Sequence, residues 1–347
     1  MSTKKDIQEL KDMLEDTARE SGVQVSGETA ELKSPEQKEA EREIVAWKTE
    51  KHKLSPVKEF RIPHELINVI LTTDQYNGLV FFGEGGIGKT VLAITAIRNA
   101  LKPTEWEYSN GYTTPLSLYE FLYLNRNKKV ILIDDVEGLF NNRLSVSILK
   151  GALWDSDGKR IVQYSSKSEK ASMPQKFVMK AKIIILCNYI PKERDATTRA
   201  MLTRTIPYKI AFTFKQKMRI CKEFLQRDKT INVTNKKFII KLLDENVSEA
   251  TKDFNFRTLR KLIAFVHYDR KKAEELFQAT THNDELREAY IRASSATNVV
   301  NVQIEIFKNL TGQSRAQYFR VKREMRTQSQ SLKKQDMRLD TNKEMKP

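Results

Sequence analysis

Gly83-Glu84-Gly85-Gly86-Ile87-Gly88-Lys89-Thr90 is a run in which the residue types and their spacing suit the binding of phosphate. In the pattern G-x-x-x-x-G-K-T, glycines take the left-handed conformations that let backbone N–H groups close around phosphate oxygens. Lys89 then brings an ammonium to the β- and γ-phosphates, and the Thr90 hydroxyl is placed to ligate Mg2+. A second run, Val130-Ile131-Leu132-Ile133-Asp134-Asp135, is apolar and ends in paired carboxylates. Asp134 is suited to the metal. Asp135 stands where a general base polarises an attacking water. The chemistry expected of such a set is hydrolysis of a nucleoside triphosphate.

These residues need elements to hold them. Residues 78–82 read as a short apolar strand running into the glycine loop, and 91–101 as the helix that leaves it, so a helix N-terminus faces the phosphates. Helices are expected at 63–71 and 116–124, with a weak strand at 106–108 between them. A buried strand is expected at 129–133, followed after Leu139 by a helix to about Trp154. Residues 160–165 and 175–179 alternate as a hairpin around a polar loop. Buried strands follow at 182–187 and 206–212, and 215–292 is helical throughout. Strands alternating with helices predict an α/β fold with a parallel sheet covered on both faces.

On the glycine loop, the acidic pair and the strand Ile183-Ile184-Ile185-Leu186-Cys187-Asn188, the sequence resembles the AAA+ P-loop ATPases over roughly residues 58 to 270. That resemblance implies ATP and Mg2+ as cofactors. It implies that Asn188, after the third strand, bridges the γ-phosphate and the attacking water. It also implies an arginine finger at Arg204, or at Arg199 one turn earlier, reaching a neighbouring subunit in a ring or filament of identical chains. Asn255-Phe256-Arg257-Thr258-Leu259-Arg260 resembles the family's lid segment that returns to the nucleotide, through Arg257 or its competitor Arg260. The hairpin before Asn188 is similar to that of superfamily 3 helicases, where tip lysines track a nucleic-acid backbone; Lys167 and Lys170 match them. The lid is more typical of replication initiators and clamp-loader relatives.

Charge points to the same class of partner. The 347 residues carry 61 Lys and Arg against 45 Asp and Glu, a net +16 that favours a polyanion. The excess is uneven: residues 1–55 hold 10 Lys/Arg and 13 Asp/Glu, whereas 308–347 hold 11 and 4. Within that basic end, Ile304, Phe307 and Leu310 form an apolar helix face, Thr311-Gly312-Gln313 a turn, and Ser314 a cap for a second helix. The pattern looks like a helix-turn-helix, with Lys308 where a small residue is usual. Arg315 and Gln317 are then placed to read base edges of DNA and Arg320 and Lys322 to meet its phosphates, with Arg323 a further nucleic-acid contact on the same helix.

The expected organisation is a helical, partly disordered arm (1–57), an ATPase core (58–213), a helical lid (214–295), the helix-turn-helix (296–327) and a disordered basic tail (328–347). The arm reads as two helices. One is carried by Ile7, Leu10 and Leu14; the other is capped by Ser34, with Pro35 first in the helix and Gln37 in capping-box spacing. It is a candidate dock for a replication partner. No apolar run approaches the ~20 residues of a membrane span. The first thirty residues do not resemble a signal peptide, so a cytoplasmic, non-secreted protein is expected. With 2 cysteines and 4 histidines, a disulfide scaffold and a classical zinc finger are excluded. The expected function is an ATP-driven motor or switch on DNA in replication (helicase, helicase loader or initiator), of phage or mobile-element type. A STAND-type signalling or transcription-control ATPase is the alternative, and a protein-remodelling ATPase a third class.

Overall fold

The computed structural model describes residues 34–51, 53, 57–111, 114–135, 137–155, 157–164, 173–189 and 196–326. The expected helix over Ile7, Leu10 and Leu14, the lysines Lys167 and Lys170, and the 328–347 tail lie outside them. The chain divides into two units, 1–50 and 51–347. The first contains helix α1 (Pro35–Thr49). Its capping box is the one the sequence specifies: Gln37 N–H donates to Ser34 Oγ at 3.2 Å, and Ser34 N–H to Gln37 Oε1 at 2.8 Å.

The second unit opens with a 3₁₀ turn (Lys58–Phe60) leading into α2 (Arg61–Thr72). Strand β1 (Gly78–Phe82) feeds the glycine loop and α3 (Lys89–Ala100); β2 (Trp106–Asn110) and α4 (Pro115–Leu124) follow. Strand β3 (Val130–Asp134) leads to α5 (Glu137–Phe140) and α6 (Arg143–Leu153). Helix α6 is the one expected between Leu139 and Trp154. Asn142 sets its start, because its side chain accepts from Leu144 N–H at 2.9 Å and Ser145 N–H at 3.3 Å. The hairpin β4 (Arg160–Gln163) and β5 (Lys176–Met179) forms a separate antiparallel sheet. Then come β6 (Lys182–Cys187), α7 (Ala196–Leu202) and β7 (Ile206–Lys209).

The parallel sheet has the order β2-β3-β6-β1-β7. Its three central strands are apolar except at Asp134, which ends β3, and Lys182, which opens β6, because both faces are covered. Alternate side chains divide between two cores: Leu79, Phe81, Leu132 and Ile184 face one, Val80, Ile131, Ile133 and Ile185 the other. The last strand departs from expectation. It is an edge strand ending at Lys209, not a buried one reaching Phe212, and its residues alternate between half-buried and exposed. Pro207 is tolerated there because an edge position needs no outward N–H.

Beyond the sheet lie α8 (Phe214–Arg227), α9 (Val233–Asn246), α10 (Phe256–Tyr268) and α11 (Ala273–Thr280). They share the first core with the sheet. A third core is distinct: α12 (Glu285–Ala296), α13 (Val300–Thr311) and α14 (residues 315–326) enclose Ala289, Ala293, Ile304, Phe307, Tyr318 and Val321. Helix α12 falls inside the segment expected to be lid. Gly312 ends α13 in the left-handed conformation, φ 67°, and Ser314 Oγ accepts from Gln317 N–H at 3.3 Å to start α14. Leu310 does not join this core. It lies in the last turn of α13 and is 50% exposed.

Candidate phosphate and metal site

The parallel sheet brings the C-terminal ends of β1, β6 and β3 side by side, and the loops leaving them carry the expected residues. Since β6 lies between β1 and β3, Asn188 stands between the glycine loop and the acidic pair. The loop must be glycine where it is. A Cβ on Gly83 would lie 2.0 Å from the Ile210 carbonyl oxygen, and one on Gly86 (φ 74°) 2.7 Å from the Asn255 side chain. Ile87, in the same loop, is fully buried and anchors it to the core.

Lys89 opens α3 and is 7% exposed. Its ammonium donates to the carbonyls of Gly83 at 2.7 Å and Glu84 at 2.9 Å, and to Asn188 Oδ1 at 3.0 Å. A cation is therefore held among the loop's own oxygens, within reach of the space a phosphate chain would take. One residue on, Thr90 Oγ1 donates to Asp134 Oδ2 at 2.6 Å. A hydroxyl and a carboxylate so close are hard oxygen donors suited to Mg2+, which prefers one or two protein oxygens plus phosphates and water to a full protein cage. Among the described residues no group of three or more His, Cys, Asp and Glu could hold a metal by itself. The donor set fits a Mg2+–nucleotide.

Asp135 has φ 58°, a left-handed conformation that Asp and Asn tolerate better than other non-glycine residues. Its N–H donates to Asp134 Oδ1 at 2.9 Å, so the backbone that strains Asp135 also fixes its neighbour's carboxylate. The exposed Asp135 side chain faces solvent beside the metal donors.

Three contributors escaped the sequence reading. The Tyr108 hydroxyl, on β2, donates to Asp134 Oδ2 at 3.3 Å. Burial, and then the Asp134 charge, pushes its pKa up to about 12, so the phenol remains a neutral donor. Asn255 caps α10 and packs on Gly86, while Phe256 N–H donates to the Gly86 carbonyl at 3.1 Å. Lys217, on α8, bridges the Glu84 carboxylate and the Phe254 carbonyl, the latter at 2.8 Å. Helices α8 and α10 thus rest on the phosphate loop. Nothing in the local patterns around Tyr108 or Lys217 marks these contacts, which depend on register and helix packing.

Arg257 follows Phe256 directly and is exposed beside the loop, whereas Arg260 is a turn further along α10. Arg204 lies elsewhere. Thr205 packs beside Gly78 at the start of β1, and the strand's five residues at roughly 3.3 Å each put about 16 Å between that end and Gly83. Arg204 is therefore remote from the phosphate loop of its own chain; Arg199 is exposed on α7. Arg315, Arg320 and Arg323 are exposed on α14, and Gln317 and Lys322 half-buried, in the unit with the third core.

No family model matches the chain. An uncharacterised 36.7 kDa protein of Enterobacteria phage T4, encoded between nrdC and mobD, is 28% identical over 148 residues. The match covers 41% of this chain and 45% of that protein, less than half of the relative's length. Among solved structures, the replication initiator DnaA bound to AMPPCP and single-stranded DNA is 15% identical, with 84% of this chain and 97% of that one covered and a TM-score of 0.43. A RuvB mutant from Thermotoga maritima is 13% identical, with coverage of 78% and 90% and a TM-score of 0.44. Domain III of the Thermotoga maritima DnaA is 15% identical, with coverage of 75% and 99% and a TM-score of 0.38. The strand order, the glycine loop after β1 and the helices seated on it describe a parallel α/β fold with a phosphate-binding loop. Among the described residues no helix is long and apolar enough to cross a membrane.

Proposed function

We propose that this chain is a Mg2+-dependent ATPase that acts as a motor or switch on DNA in replication. One observation carries the catalytic part: Lys89, Thr90, Asp134 and Asn188 converge in a hydrogen-bonded set at the ends of three adjacent strands. In this reading the loop from Gly83 to Gly88 wraps the phosphates, Lys89 neutralises the β- and γ-oxygens, and Thr90 and Asp134 hold Mg2+. The metal supplies charge neutralisation on the phosphates. Asp135 takes the proton of the attacking water, Asn188 orients that water, and Arg257 reaches the γ-phosphate from α10. Arg204 acts in trans, since its own loop is out of reach. Such an arginine is worth about 10³ to 10⁵ in rate.

DNA is the proposed partner because a cationic face, Arg315, Arg320 and Arg323, is displayed on a helix that follows a tight turn. Assembly as a ring or filament, a replication partner for the N-terminal arm, a cytoplasmic location and a phage or mobile-element origin belong to the same reading. ATP hydrolysis measured with single-stranded DNA, duplex DNA, RNA and no nucleic acid tests it. Rates indifferent to all three would remove the DNA-acting role while leaving the ATPase.

Tyr108→Phe keeps the ring and loses the hydrogen bond to Asp134. Outer-sphere changes of this kind typically cost 10–100-fold in metal affinity or activity. The Mg2+ needed for half-maximal turnover should rise about tenfold, with nucleotide binding in excess Mg2+ unchanged. A Mg2+ titration indistinguishable from wild type would detach Tyr108 from the metal site.

Removing residues 285–347 takes out the whole third core, where a cut at 296 would leave the apolar face of α12 bare. Basal ATP hydrolysis should persist and duplex binding should weaken. Arg320→Ala, which also loses an exposed pair with Glu324, should weaken binding to every sequence and reduce the salt slope by about one contact. Undiminished duplex binding by the truncated chain would dismiss the helix-turn-helix as the DNA contact.

A further inference from the structure

The end of α6 joins two features that the site itself leaves unconnected. Trp154, the residue after that helix, is 54% exposed, yet its ring lies under the Arg204 guanidinium, 4.5 Å from Cζ to the ring centroid. Arg204 Nη1 is buried and has no hydrogen-bond partner among the described residues. The cation is therefore held by the face of an aromatic ring, which orients it while leaving its donors uncommitted.

The same stretch of α6 is clamped to the β4–β5 hairpin. Arg160, 6% exposed, donates to the carbonyls of Ala152 at 2.9 Å, Ala181 at 2.7 Å and Lys180 at 2.6 Å. One of those carbonyls is in the last turn of α6, two residues before Trp154; the others lie just before β6. Gly151 adds a close approach, since a Cβ there would sit 3.0 Å from the Ile161 carbonyl oxygen. The hairpin cannot shift against α6 without disturbing either the clamp or this contact, and α6 carries the indole.

We infer that Trp154 is a positioning residue for Arg204, and that the Arg160 clamp makes the position of this arginine depend on the seating of the β4–β5 hairpin. The inference rests on the reading of Arg204 as a participant in hydrolysis. It adds the group that aims it and a mechanical link to it from the β4–β5 hairpin.

The test is steady-state kinetics on the full-length chain. Trp154→Ala should lower kcat about tenfold with KM for ATP within twofold, because a lost ring contact mis-aims the arginine without touching the nucleotide site. Trp154→Phe keeps an aromatic face and should restore most of the loss. Melting temperatures should match wild type, since the indole is half in solvent. Gly151→Ala, which pushes the hairpin outward by a few tenths of an ångström, and Arg160→Lys, which weakens the clamp, should each lower kcat. Neither should add to Trp154→Ala in the double variants. If Arg160→Lys fails to fold, Gly151→Ala carries the comparison.

Wild-type kcat in Trp154→Ala, beside a large loss in Arg204→Ala, would overturn the positioning role and leave the arginine's own role standing. Full turnover in Arg204→Ala would overturn that role and this inference with it. Additive losses in the double variants would break the link to the hairpin.

Discussion

Lys89→Ala should reduce ATP turnover by about 10²–10³-fold or more, to near the background of the assay. Removing one preorganised donor from a developing oxyanion costs on that order, and here the donor carries a full charge in a site shielded from water. Lys89 is 7% exposed and its ammonium is fixed by the Gly83 and Glu84 carbonyls and Asn188 Oδ1, so its position needs no reorganisation when phosphate arrives. Alanine leaves those oxygens without that donor, and stability should fall by about 1–3 kcal/mol. Phosphate release and binding of a fluorescent ATP analogue would be measured at a temperature where the variant remains folded. Ordinary turnover would show that the glycine loop does not bind the reacting phosphates.

Asp135→Asn should separate binding from chemistry. Asparagine tolerates the left-handed backbone at φ 58° and matches the carboxylate in size, so the turn after β3 should survive. The Asp135 N–H can still donate to Asp134 Oδ1, and Thr90 remains paired with Asp134, so the metal donors stay in place. What disappears is the base. Loss of general-base assistance is worth typically 10²–10⁴-fold. ATP should bind with nearly wild-type affinity and accumulate unhydrolysed in a single-turnover experiment. Failure to bind Mg2+-ATP would mean that the two carboxylates have exchanged roles.

Where apolar residues run without interruption, the sequence was a good guide to structure. β1 follows its apolar run and β6 ends where its own run does, because burial on both faces favours apolar side chains. Local capping was equally legible at Ser34 and Ser314, where the partner atoms lie three residues away. The errors come from features with no local signature. β7 is apolar enough to pass for a central strand, and only the strand order reveals it as an edge. Leu310 keeps the helical spacing of Ile304 and Phe307, yet lies half-exposed in the last turn of its helix. At the site, Lys89, Thr90 and Asp134 could be paired from motif chemistry. Tyr108, Lys217 and Trp154 could not, since each meets its partner across elements whose register is set by the whole fold.

The edge formed by β7 has a bearing on how copies of this chain can associate. Ile210 N–H donates to the Phe82 carbonyl at 2.8 Å, and backbone groups alternate direction along a strand. The outward-facing N–H positions of β7 are therefore those of residues 207 and 209. Proline has no N–H to offer at the first, and a lysine occupies the second, the two residue types that natural proteins use to keep a bare sheet margin from templating another chain. Growth by continuous strand addition is blocked at this margin. Any assembly formed there must rely on side-chain contacts, which can loosen and re-form without tearing a backbone ladder apart.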